Sequence, residues 1–175
     1  MAHDAYSDPG AVVAGDPLPA AYLNTTRANG AWFSEPPQCS VYSSSSSLQS
    51  VPNTTITALL CPLEVLDNYG MHSTSSNTSR ITIIEAGRYT FTGTASFGSD
   101  ADGIRRLTFR VNGTTEYDML SIHAASANGM ILSASRTITL AVSDYVELTV
   151  YQSSGGALDS QVLAFEAILV STTPL

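Results

Sequence analysis

An all-β fold, a sandwich or barrel of short strands without internal helix after residue 37, is what this sequence predicts, and three observations predict it. Ser and Thr fill the polar positions: charged residues are only 13% of 175, and all seven Lys+Arg residues are Arg. Thr fits a pleated, half-buried surface, whereas so few charges suit exposed helices badly. Period-2 alternation is clean over 88–97, where Tyr89, Phe91, Gly93, Ala95 and Phe97 share one face and Arg88, Thr90, Thr92, Thr94 and Ser96 the other. Turn signals, with Asn112-Gly113 and Asn128-Gly129 the plainest, divide the chain at intervals of about 8–14 residues.

The bulk numbers narrow the rest. A hydrophobic fraction of 43% is enough for the core of one domain. The net charge of −8 argues against nucleic acid and against an anionic membrane surface, and the densest basic cluster is only Arg105, Arg106 and Arg110. No segment approaches the roughly 18 apolar residues of a membrane span. Met1 to Ala20 carries Asp4, Asp8 and Asp16 with no basic start, so synthesis in a cytoplasm without a signal peptide is expected. Cys39 and Cys61 lack metal-ligand spacing and read as buried free thiols, a cross-strand pairing being disfavoured in a reducing compartment.

Residues 1–37 differ in composition from the rest of the chain and hold five of the eight prolines. Asp16-Pro17 suits a helix start, and Leu18, Tyr22 and Leu23 then fall on one face of a helix over about 17–29, with Asn29-Gly30 as its stop. Trp32-Phe33 is an aromatic plug, and Pro36-Pro37 a stiff connector. Two readings of this arm stay open: it packs on its own domain, or it docks into another protein. Leu18, Tyr22, Leu23, Trp32 and Phe33 are its anchoring candidates.

Residues 38–175 form the β domain. Cys39 to Tyr42 is a short strand, the serine run 43–47 a link, and Val51-Pro52-Asn53 a turn. Strands over 54–60 and 63–66 are interrupted by Pro62, which belongs at an edge or bulge. Asn68-Tyr69-Gly70 turns, 73–79 is a polar loop, and 80–84 is a strand. Strands at 88–97, 105–111, 114–122, 130–140, 145–151 and 161–170 complete nine or ten.

The segment 80–170 resembles the jelly-roll module shared by complement globular heads and tumour-necrosis-factor-like cytokines. The matching stretches are Ile83-Ile84-Glu85-Ala86-Gly87-Arg88-Tyr89-Thr90-Phe91, Arg110-Val111-Asn112-Gly113, Leu140-Ala141-Val142-Ser143-Asp144-Tyr145-Val146-Glu147-Leu148 and Phe165-Glu166-Ala167-Ile168-Leu169-Val170. Ser143 replaces the family's usual Gly in the turn before the penultimate strand. The resemblance implies an antiparallel jelly-roll sandwich and a homotrimer, which a closed cyclic assembly would use to bury apolar strand faces. Tyr89, Phe91, Tyr151 and Phe165 are candidates for the core or for the three-fold interface.

Three further stretches resemble accessory virion proteins of actinobacterial tailed phages: residues 15–24 (Gly15-Asp16-Pro17-Leu18-Pro19-Ala20-Ala21-Tyr22-Leu23-Asn24), 70–81 and 150–156. That resemblance implies a structural role on the virion exterior, as a minor tail, fibre or head-decoration protein. Its partners would be capsid or tail proteins gripped by the arm, and a glycan or protein of the host surface. The alternative is a free carbohydrate- or receptor-binding module outside any virion, with Asn68, Tyr69, His72 or the 98–103 loop as contacts.

Catalysis is not expected, nor is a cofactor or metal. His3, His72 and His123 are the only histidines; a Ser near His72 follows from serine abundance, and no Gly-x-Ser-x-Gly elbow exists. Ser99-Asp100-Ala101-Asp102-Gly103 is like the start of a calcium loop, but Arg105 and Arg106 stand where later ligands belong. Glu64, Asp67, Glu116, Asp118, Glu147 and Glu166 are the carboxylates from which a glycosidase pair would have to come, and sequence alone pairs none of them. The sequons at Asn24, Asn53, Asn77 and Asn112 are what a Ser/Thr-rich chain gives by chance.

Overall fold

The structure is a computed structural model; it describes residues 10, 11, 15, 17–124 and 128–172, apart from the side chains of residues 31 and 32. One helix, α1 (Ala20–Ser34), precedes eleven strands: β1 (Gln38–Tyr42), β2 (Gln49–Val51), β3 (Thr57–Ala58), β4 (Leu63–Asp67), β5 (Arg80–Thr82), β6 (Gly87–Phe97), β7 (Ile104–Val111), β8 (Thr115–His123), β9 (Met130–Leu140), β10 (Tyr145–Gln152) and β11 (Leu158–Thr172). They make two sheets. Sheet I runs β4-β1-β11-β6-β9, with β2 on the first residues of β11; sheet II runs β3-β10-β7-β8, with β5 also on β10. These strand pairings are antiparallel.

The alternation of β6 decides where the core sits. Tyr89, Phe91, Ala95 and Phe97 are at most 3% exposed, while Arg88, Thr90, Thr92, Thr94 and Ser96 turn outward. Phe91 from β6, Phe165 from β11 and Phe109 from β7 meet with ring centroids 6.1 Å apart, which joins the two sheets. Gly93 makes room for this cluster: a Cβ there would lie 2.5 Å from Leu148 Cδ1 and 3.0 Å from the Phe109 ring.

Two hairpin ends are clamped together. Asn112 and Gly113 take φ of 51° and 69°, the left-handed pair that a tight hairpin requires. The Asn112 amide donates to Asp144 Oδ1 at 2.8 Å, and Asn112 Oδ1 accepts from the Tyr145 N–H at 2.9 Å. Ser143 adopts the left-handed conformation (φ 73°) that its glycine counterpart would take freely. The turn survives because Asp144 Oδ2 accepts from the Ala141 N–H at 2.8 Å and the Ser143 N–H donates to the Ile83 carbonyl at 2.8 Å.

Several expectations need correction. The helix begins at Ala20, not at 17; the Pro19 carbonyl accepts the first bond, from Leu23 N–H at 3.2 Å, and Asp16 lies outside the described residues. It does not stop at Asn29-Gly30. It runs to Ser34, because Ala-Trp-Phe continue it and the residue before a proline disfavours the α region, so Pro36-Pro37 sets the end. The strand expected over 54–60 shrinks to Thr57–Ala58. Thr54 turns at φ 56°, and on its outer side the segment pairs with a side chain: Gln49 donates to the Ala58 carbonyl and accepts from the Leu60 N–H, each at 2.9 Å. Pro62 marks the passage from sheet II into sheet I.

Gly93→Ala is expected to lower stability by about 1–3 kcal/mol, since its methyl must displace Leu148 and Phe109 in a filled core. Urea denaturation of the two proteins measures it.

Candidate functional site

Tyr89, Phe91 and Phe165 are each 0% exposed, so they fill the sandwich and leave nothing for an interface. The Tyr89 hydroxyl donates to the Glu85 carbonyl at 2.8 Å, and burial pushes its pKa upward. Tyr151 is placed differently. It faces outward from sheet II, beneath Arg106 at 5.0 Å from its ring centroid. From residue 38 onward, the large apolar side chains most exposed outside the core are aliphatic.

The outer face of sheet I gathers them. Register places Leu66, Ser40, Glu166, Thr92 and Ser135 in one row, and Gln38, Ile168, Thr90 and Thr137 in the next. Hydroxyls pair across the β6–β9 seam: Thr90 with Thr137 at 3.0 Å, Thr92 with Ser135 at 3.3 Å, Thr94 with Ser133 at 2.8 Å. Around them Val65, Leu66, Ile168, Val170 and Ile131 are between 40% and 73% exposed. Glu166 brings a negative charge to these rows and accepts from the Ser40 hydroxyl at 3.0 Å. A shallow groove of about 370 Å³ lies along Ser40, Leu66, Thr92 and Ile168.

The arm presents a second apolar surface. Asn68 fastens the connector, donating to the Pro36 carbonyl and accepting from the Gln38 N–H, each at 2.9 Å. Beyond that point much of the arm's apolar surface is exposed: Leu18, just ahead of α1, is 49% exposed, and on α1 Leu23 is 53% and Phe33 64% exposed, with Tyr22 half-buried and Asn29 buried. The side chain of Trp32 lies outside the described residues.

Several of the residues weighed for catalysis are engaged in contacts within the fold. His72 has a fully buried side chain, with Nδ1 2.9 Å from Glu64 Oε1 and Nε2 3.3 Å from the Thr78 carbonyl, so neither nitrogen is left for a nucleophile. Asp67 accepts from the N–H groups of Tyr69, Met71 and His72 and shapes the 68–72 turn. Asp118 meets Thr108 and Arg106. Glu147 meets Arg110 twice, at 2.9 and 3.1 Å, and the Ser79 hydroxyl. Glu116 is exposed on β8, and His123 ends that strand. His3 lies outside the described residues.

The 98–103 loop closes on a side chain. Arg105 is 1% exposed on the inward face of β7, and its guanidinium donates to the carbonyls of Asp100, Asp102 and Ile104 at 2.8–3.2 Å. Asp100 Oδ1 adds charge at 3.5 Å. Carbonyls that could have ligated a cation therefore surround one supplied by the chain itself. Among the described residues, no group of three His, Cys, Asp or Glu could hold a metal ion.

Comparison with known proteins agrees with this architecture. No protein-family model and no curated protein sequence matches the chain. Solved structures do. The globular domain of zebrafish complement 1qA protein superposes with a TM-score of 0.55 at 16% identity, over 78% of this chain and 99% of that one. PRD1 vertex protein P5 gives 0.53 and 17%, over 77% and 73%. Eiger TNF from S. frugiperda gives 0.51 and 10%, over 79% and 94%. The fold is a complement/tumour-necrosis-factor-like jelly roll. At these identities the likeness concerns the fold alone.

Sequence reasoning read half of the sheet I face, since Thr90, Thr92 and Thr94 were already on the outward side of β6. The alternation of Ser133, Ser135 and Thr137 was a signal for the other half. Leu66 and Ile168 join them only through long-range register, which no local pattern reveals.

The buried groups make two outcomes measurable. Arg105→Met is expected to cost about 2–4 kcal/mol, by orphaning the loop carbonyls, and to speed amide exchange across 98–104. Burial raises the Cys39 thiol far above its ordinary value and the Cys61 thiol to about 12. Both should resist a thiol reagent at pH 8 until the chain is unfolded. The unfolded thiols ionise first, so this contribution to stability is complete below pH 9 and declines as pH rises from 9 towards 12.

Proposed function

We propose that this chain is a structural accessory protein of a tailed-phage virion, a homotrimeric jelly roll on the particle exterior anchored by its N-terminal arm. The arm carries the proposal. Leu18, just ahead of α1, and Leu23 and Phe33 on it are each about half or more exposed, while Asn68 fixes the connector behind them. Such an arrangement suits insertion into another protein better than packing on its own domain.

Self-association is supported by the outer face of sheet I. In a chain of net charge −8, this face is built mainly of hydroxyls and aliphatic groups, with Glu166 the carboxylate in its rows and Arg88 at one end. The hydroxyls across the β6–β9 seam already bond one another, so a second copy covering them leaves few polar groups unpaired. Among proteins of the same fold, one is a vertex protein of a phage, which supports placing a jelly roll of this kind on a particle surface. The mechanism is binding and stabilisation, without turnover.

Light scattering of the purified full chain is expected to give the mass of three chains, and Thr92→Arg with Ile168→Asp the mass of one. A chain lacking residues 1–37 should keep the trimer mass and lose its place on the particle. A wild-type monomer would sink the trimer, and normal incorporation of the truncated chain would sink the anchor. Copy number per particle then separates the head, with hundreds expected, from the tail, with a few trimers.

A further inference from the structure

The chain is acidic, yet Arg80 is not neutralised. Arg106, Arg110 and Arg105 each meet a carboxylate. Arg80, on β5, meets none among the described residues. Glu147 stands opposite it in register but is engaged by Arg110 and Ser79. The Arg80 guanidinium lies over the Tyr145 ring, 4.3 Å from its centroid, and its Nε is buried without a hydrogen-bond partner. The stacking holds the plane of the guanidinium without neutralising it.

Arg80 lines a pocket of about 290 Å³ together with Ser73, Ser76, Asn77, Thr82 and His72, whose two ring nitrogens are taken up by Glu64 and the Thr78 carbonyl. No carboxylate lines it. Glu64 and Asp67, which precede it in the chain, are engaged by the His72 ring and by the backbone N–H groups of Tyr69, Met71 and His72, respectively. The Ser73 hydroxyl already lies 3.3–3.4 Å from those of Ser75 and Ser76, so the polar wall is assembled before any ligand arrives. The volume is at the low end of small-molecule sites, room for a ligand of one ring.

We propose that this pocket is a binding subsite for a carboxylated sugar, whose carboxylate pairs with Arg80 and whose ring hydroxyls meet Ser73, Ser76 and Asn77. A planar guanidinium takes a carboxylate through two parallel N–H donors. A single cation matches a monoanion. A dianionic sulfate or phosphate would meet one arginine inside a field of net charge −8, where attraction is largely cancelled. Hydroxyl and carboxamide groups can both donate and accept, as a sugar's hydroxyls require.

The inference does not depend on the virion assignment: loss of particle anchoring leaves it intact, and loss of sugar binding leaves the anchor intact. The test uses the full chain and titrates glucuronate, glucose and sulfate by amide chemical-shift perturbation. Glucuronate should shift the amides of 70–82, and glucose should bind at least tenfold more weakly. Arg80→Gln should abolish the shifts, and Arg80→Lys should weaken binding at least fivefold by removing the planar fork. Melting curves accompany each variant; if Arg80→Gln fails to fold, the lysine variant and the double variant Ser73→Ala, Ser76→Ala carry the reading. Equal affinity for glucose and glucuronate overturns the proposal. So does displacement of glucuronate by equimolar sulfate, and so does unchanged binding in the lysine variant.

Discussion

The contact of Phe91 and Phe165 with Phe109 is the constraint on which the other features rest. Each ring comes from a different strand, two from sheet I and one from sheet II, and the centroids lie 6.1 Å apart. Three large rings in one layer leave no volume at the adjacent position, which is why Gly93 stands there with Leu148 and Phe109 against its Cα. Once the inward side of β6 is fixed, period 2 fixes its outward side as well. A shift of one residue would carry Thr90, Thr92 and Thr94 into the core and the rings into solvent. The hydroxyl rows of sheet I are thus the reverse of the aromatic layer.

Local patterns announced much of this. The strands over 88–97, 105–111, 130–140 and 145–151 were legible because each alternates or ends at a turn whose residues favour positive φ, Asn112-Gly113 above all. Elements held by distant partners were not. The segment 54–60 reads as a strand by composition, yet it pairs on one side with a glutamine side chain, and nothing near Thr57 indicates Gln49. Tyr151 reads like Tyr89 by residue type, but β10 alternates about Val150 and turns it outward under Arg106. The helix end was misplaced because Asn29-Gly30 is a common stop, whereas the proline pair is a stronger one.

Charge placement in this molecule follows from its scarcity of cations. Seven arginines face fifteen carboxylates, so each guanidinium has a choice of partners. Arg105 is the instructive case. It enters the core end with Leu107 and Phe109, and burial of a guanidinium is tolerable only where its donors are met. The 98–103 loop and Ile104 supply three carbonyls and a carboxylate, so the acidic run that looked like a calcium loop folds around an internal cation instead. The sequence held that clue in Arg105 itself, two residues after Gly103, where a ligand was missing.

Arg80, like Arg136 over Tyr117, lies on an aromatic ring without an ion pair among the described residues, and its neighbours account for that. Glu147 is opposite both Arg80 and Arg110, which flank it on the two sides of β10, and it takes Arg110 with both bonds. Tyr145 then supplies a surface that orients the unpaired guanidinium while leaving its charge whole. An arginine satisfied by a carboxylate has little left for a ligand; one satisfied only by an aromatic face keeps its donors. The same strand, β10, therefore divides its two flanking arginines between fastening the sheet and remaining open at its edge.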